Sequence, residues 1–170
     1  MSERSNAKPD DENLLEELRI QRKLSTYFYA LDARDRAALE TVFAHDVTVQ
    51  YHTGTDGQFT QEGAKTIVDY LINNMGYYRC RTHVGANSHV AIDGVKAATT
   101  THAVATLWKG ERLVVRGLRY VDEFVRIDGD WRIRTRKHAP LWQFDTQPSE
   151  PDIPAPALAL AAAQRAGKAG

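Results

Sequence analysis

DEFVRIDGDWRIRTR, Asp122 to Arg136, is the stretch that decides the fold of this chain. Two runs rich in β-branched, aromatic and charged residues flank Asp128-Gly129. Glycine reaches positive φ without a Cβ clash, so the dipeptide predicts a tight hairpin between two strands. The same pattern extends upstream. From about Arg81 the sequence reads as β-rich segments, RTHVGANSHVAI, KAATTTHAVATLW, RLVVRGLRYVDEFVRI and WRIRTRKHAPLWQF, separated at Asp93-Gly94, Lys109-Gly110 and Asp128-Gly129. Those breaks predict consecutive hairpins and hence an antiparallel meander.

The period differs before Arg81. In DDENLLEELRIQRKLSTYFYALD the apolar residues Ile20, Leu24, Tyr27, Phe28 and Leu31 recur at the spacing of one buried helix face. Asp35 is placed to cap a second short helix, RAALETVFA, with Leu39, Val42 and Phe43 turned inward. DVTVQYH reads as a strand. QEGAKTIVDYLINNM reads as a third helix with Ile67, Tyr70, Leu71 and Met75 on its apolar side. Helices first and a meander afterwards predict an α+β domain, its helices packed on one face of a curved sheet.

The 170 residues suffice for one compact domain, and 22 basic residues balance 22 acidic ones. That balance argues against nucleic acid or an anionic membrane as partner and for a small-molecule substrate. Cys80 stands alone, so no internal disulfide framework exists. The polar lead, residues 1–12, has no apolar core of the signal-peptide kind, and a cytoplasmic location is expected. A single domain is expected over 13–144. An arm rich in proline and alanine follows over 145–170, suited to lying across a neighbouring subunit.

YFYALDARD near the start and DEFVRIDGDWRIRTR near the end resemble the SnoaL-like division of the nuclear transport factor 2 superfamily, over roughly Leu14 to Phe144. The resemblance implies a cone-shaped, strongly curved antiparallel sheet wrapped around the N-terminal helices, an α+β barrel of cystatin-like kind. A narrower likeness is to the branch of scytalone dehydratase, bile acid 7α-dehydratase and hexachlorocyclohexane dehydrochlorinase. It implies a catalytic dyad of Asp32, in ALDARD, and His83, in RTHVGAN. It also implies pocket roles for Tyr27, Tyr51 and Arg136, and a homo-oligomer, a trimer in preference to a dimer.

Physical chemistry supports the dyad independently. A helix C-terminus carries partial negative charge, so an anionic Asp32 there calls for a cation opposite, and His83 can become one. Asp32 would fix the imidazole tautomer and stabilise the imidazolium formed when His83 takes a proton. Tyr27 and Tyr51 each combine an apolar ring with one O–H donor, suited to polarising an oxygen in a water-poor cavity. Asp32 could instead merely cap the turn, and the tyrosines could be core.

His102 shares the inward face with His83 as a substrate-binding residue if the Asp93-Gly94 turn is regular, and points outward if one β-bulge intervenes. Regular pairing also leaves Arg136 several rows from His83. A bulge or bend near Gly85 or Gly117 must intervene if both reach one pocket. The six histidines show no metal-ligand spacing, and no nucleotide-binding glycine motif occurs, so neither metal nor cofactor is expected. The expected function is a cofactor-independent lyase that removes water, or less readily hydrogen halide, from a small, largely apolar cyclic substrate. Alternatives are a proton-shuttling isomerase or polyketide cyclase, and a non-catalytic ligand-binding protein or small subunit of a ring-hydroxylating dioxygenase.

Overall fold

The computed structural model describes residues 9–52 and 57–149. The chain runs α1 (Pro9–Ala33), α2 (Arg36–Glu40), β1 (Phe43–His52), β2 (Gln58–Glu62), α3 (Ala64–Met75), β3 (Cys80–Asp93), β4 (Lys96–Lys109), β5 (Arg112–Ile127) and β6 (Asp130–Thr146). Six strands form one curved, unclosed sheet in the order β2-β1-β6-β5-β4-β3. The meander β3 to β6 is antiparallel as expected, but β1 lies parallel to β6, so the sheet is mixed. The reason is topological. The chain leaves α2 at the end of the sheet where β6 begins, with Phe43 opposite Ile133, and β1 must run the same way to cover the open edge of β6.

The hairpin at Asp128-Gly129 has positive φ at both residues, the type I′ combination that matches strand twist. The other two turns fall one residue later than expected, at Gly94-Val95 and Gly110-Glu111, because each glycine supplies positive φ at the first loop position. The third hairpin also anchors the first helix. Trp131, almost fully buried, donates its indole N–H to Glu16 at 2.7 Å, and Asp130 pairs with Lys23 at 2.9 Å. The apolar stripe of α1 thereby lies across the concave face of the sheet, with Ile20, Leu24, Tyr27, Phe28 and Leu31 all buried.

Helix α1 closes over Arg34, which adopts φ +56 while Asp35 donates its backbone N–H to Ala30 at 2.8 Å. The Asp35 carboxylate accepts from Ala38 N–H at 3.0 Å and caps α2. That helix stops at Glu40. Val42 and Phe43 are buried as expected, but Phe43 already belongs to β1. Strand β2, exposed along most of its length, carries no apolar alternation to announce it. The C-terminal arm lies outside the described residues from 150 onward. No helix among the described residues is long and apolar enough to cross a membrane.

Candidate active site

Asp32, in the last turn of α1, reaches His83 on β3 through both carboxylate oxygens. Oδ1 lies 2.6 Å from His83 Nδ1, and Oδ2 accepts the His83 backbone N–H at 2.7 Å. An ionised carboxylate can only accept, so Nδ1 carries the proton and Nε2 is left as the basic nitrogen. The His83 side chain is 4% exposed and that of Asp32 22%. Phe28 stacks on the imidazole, with ring centroids 6.3 Å apart. Arg81 donates to the Asp32 backbone carbonyl at 2.7 Å, supplying the cation that the negative end of α1 calls for.

The close approach of helix and strand depends on Gly85. A Cβ there would come within 2.8 Å of the Phe28 ring, which is held by Tyr27 and Tyr120. Just beyond Gly85, β3 carries a bulge at Ala86-Asn87, and pairing resumes with Ser88 opposite Thr101.

The pairings set out inward-facing rows across the sheet. One row is His83, Ala105, Arg116 and Gln143; another is Thr101, Tyr120, His138 and Tyr51; beyond it comes Thr99, Asp122, Arg136 and Val49. The first two rows contribute to a solvent-connected cavity of about 560 Å³, closed from the helix side by Tyr27, Leu31 and Tyr70 among others. That volume is in the range that holds a small organic ligand. Tyr27, Tyr51, His83 and Tyr120 line it together. Burial raises the pKa of Tyr27, Tyr51 and Tyr120 above the phenol value, for Tyr27 against the opposing pull of Arg136, so all three are neutral donors.

The structure separates two expected site residues from this group. His102 is exposed on the outer face of β4, opposite Arg119, while Thr101 and Ala103 point inward. The bulge at Ala86-Asn87 reverses the parity that a regular hairpin would have given. Arg136 is 2% exposed and does not line the cavity. Its Nε and Nη2 each donate to Asp122 at 2.7 Å, and its guanidinium carbon lies 4.1 Å from the centroid of the Tyr27 ring and 4.7 Å from that of Tyr120. Bulges do occur beside Gly85 and Gly117, yet Arg136 stays two rows beyond the row after His83, beneath the aromatic floor. Burial pulls its pKa down but the adjacent carboxylate outweighs that, holding it above its ordinary value and charged.

Tyr120, Arg116 and His138 are among the cavity residues that sequence reasoning missed. His138 packs between Tyr51 and Tyr120, and its buried Nδ1 has no hydrogen-bond partner. Burial, then the positive charges of Arg136 and Arg116, hold its imidazole at about 4. The unfolded chain takes up this proton near pH 6.5 and the folded chain only near pH 4. The stabilising contribution is therefore complete above pH 6.5 and is lost as pH falls toward 4. Denaturant unfolding of the wild type and of His138→Gln at pH 7 and pH 4 is expected to show a smaller acid loss in the variant, by up to about 3 kcal/mol. Parallel losses would mean that His138 is charged in the folded protein.

Among the described residues no three His, Cys, Asp or Glu side chains converge as metal ligands. His83 and the neutral phenols of Tyr27, Tyr51 and Tyr120 stand around one hollow. Residues 12–137 match the model of the SnoaL-like domain. An uncharacterized protein of Mycobacterium tuberculosis is 30% identical over 131 residues, covering 74% of this chain and 86% of its own length. A scytalone dehydratase-like protein of Novosphingobium aromaticivorans superposes with a TM-score of 0.72 at 22% identity, over 86% of this chain and 99% of that one. The hexachlorocyclohexane dehydrochlorinase of Novosphingobium barchaimii does so with a TM-score of 0.72 at 18% identity, over 85% and 99%. At those identities the two structures share the fold alone.

Proposed function

We propose, from the premise that the chain belongs to the SnoaL-like domain family, that it is a cofactor-independent lyase eliminating water from a small hydroxylated cyclic substrate. The observation that carries this reading is the two-point grip of Asp32 on His83 in the wall of a phenol-lined cavity. His83 Nε2 removes a proton from the carbon beside the one that bears the leaving group. Asp32 stabilises the imidazolium that results. Tyr27 and Tyr51 donate hydrogen bonds to the departing oxygen or to the carbonyl that activates the carbon acid. The dehydrochlorinase that shares this fold carries a name that specifies halide loss. Three phenol donors suit a departing oxygen better than a halide, which accepts hydrogen bonds weakly.

The test is product mass on a panel of cyclic β-hydroxy ketones. Loss of one water, abolished by Asp32→Asn and by His83→Ala, is expected. Conversion at unchanged mass would move the protein to the isomerases, and undiminished turnover in both variants would remove the dyad.

The assembly belongs to the same proposal. On the outer face of the sheet Val84, Val104, Gly117 and Trp142 form one apolar row, with Phe144 beside it; Val84, Trp142 and Phe144 are 59%, 49% and 55% exposed. A patch of this kind calls for a covering surface, and we read a homo-oligomer, a trimer before a dimer. Light scattering on the full chain checks it, a monomeric mass being the contrary result.

A further inference from the structure

Arg136 and Arg116 both face the concave side of the sheet, and they are held in opposite ways. Arg136 is neutralised by the fork of Asp122. Arg116 is half-buried and gives Nε and Nη2 to the neutral amide oxygen of Gln143, at 2.9 and 2.6 Å. Among the described residues no carboxylate pairs with Arg116, and no Asp or Glu lines the cavity that it enters. A guanidinium fixed in orientation but not in charge keeps the N–H groups of its Nη1/Nη2 edge for a planar anion, whose two oxygens accept from that edge.

Its position relates it to the base. His83 and Arg116 occupy the same inward row, separated only by Ala105 on β4. At the usual strand spacing their Cα atoms stand about 10 Å apart. The methyl group between them leaves the space over β4 open, so a ring lying on Ala105 presents one edge to the imidazole and the other to the guanidinium. The opposite wall, with Tyr70, Leu71 and Met75 of α3, is mainly apolar and aromatic.

We propose that Arg116 forms an anion subsite of this cavity and that the natural ligand is a small cyclic carboxylate, its carboxylate on Arg116 and its ring over Ala105. The inference deepens the lyase reading and borrows from it only the direction in which the reactive carbon points. It replaces a largely apolar substrate by an amphipathic one.

The experiment uses 2-naphthoate and 2-naphthamide, which share shape and differ in charge, titrated calorimetrically into the full chain. The wild type is expected to bind naphthoate at least about tenfold more tightly, the scale of a charge-assisted bidentate contact. Arg116→Gln should abolish the preference, with the larger loss in naphthoate affinity. Gln143→Glu, at an exposed position, should do the same by placing an internal carboxylate against the guanidinium. His83→Ala should keep the preference, so that failure of the subsite and failure of the dyad give different results. Equal affinity of the wild type for the two probes, absence of binding included, overturns the proposal, as does a preference that survives in both Arg116→Gln and Gln143→Glu.

Discussion

Asp32→Asn is expected to lower turnover by on the order of 10²–10⁴-fold while substrate affinity changes little. The reason lies in the donor count. His83 presents two donors to Asp32, its backbone N–H and Nδ1–H, and the carboxylate meets both. An asparagine has one acceptor oxygen and one NH2. If its oxygen keeps the backbone N–H, its NH2 faces Nδ1, which must then accept; the ring proton moves to Nε2 and the base is blocked. If the amide is turned, its NH2 meets the backbone N–H and that bond is lost. Either way the imidazole no longer combines a free Nε2 with a stabilising anion behind it.

Binding is spared because Asp32 is absent from the cavity lining and acts through His83. His83→Ala should lose turnover to a similar extent. The double variant should be no slower than His83→Ala, since the two residues act as one unit. Steady-state kinetics on the first substrate found in the hydroxyketone panel decide the matter, and additive losses in the double variant would show that the pair is not coupled.

The pairing of Asp32 with His83 was expected from the resemblance that ALDARD and RTHVGAN carry, and the negative end of the first helix gave it a physical reason beside that. The meander itself was legible because glycine at each turn has a steric reason to be there. The parallel seam of β1 and β6 was not, since it joins residues about ninety positions apart and no local pattern names a partner.

The remaining misreadings trace to bulges. The turn at Asp128-Gly129 aligns Phe124 with Ile133, and regular pairing would then set Asp122 opposite Thr135. A register shift between Glu123 and Phe124 puts Asp122 opposite Arg136 and Tyr120 opposite His138 instead. One inserted residue thus turns Arg136 inward to meet Asp122 and brings an unforeseen histidine, His138, into the cavity beside Tyr120. The shift at Ala86-Asn87 expels His102 in the same way. No residue type is required at a bulge of this kind, so single-sequence patterning carries no sign of it.

The buried pair carries the second large effect. Asp122 is 0% exposed and Arg136 2%, and the two meet in a bidentate arrangement under the rings of Tyr27 and Tyr120. Asp122→Ala would leave a guanidinium buried without its anion, with Nη1 already lacking a partner. The expected loss is about 3–5 kcal/mol of unfolding free energy, the scale for breaking one side of a desolvated pair. Arg136→Met should cost a similar amount by stranding the carboxylate.

Removing both charges is a different operation. Asp122→Leu combined with Arg136→Met deletes the desolvation penalty together with the attraction, and should recover most of the stability lost in either single variant. Urea unfolding at pH 7 measures all three. If Asp122→Ala costs less than about 1 kcal/mol, water reaches the guanidinium and the aromatic floor is not the seal that the packing describes. The recovered double variant then reads the joint effect of the two charges on the phenols, because Arg136 opposes the upward shift that burial imposes on Tyr27 more strongly than Asp122 adds to it. Without the cation Tyr27 becomes a weaker acid and a poorer donor, so turnover in the double variant should fall even though the fold is restored.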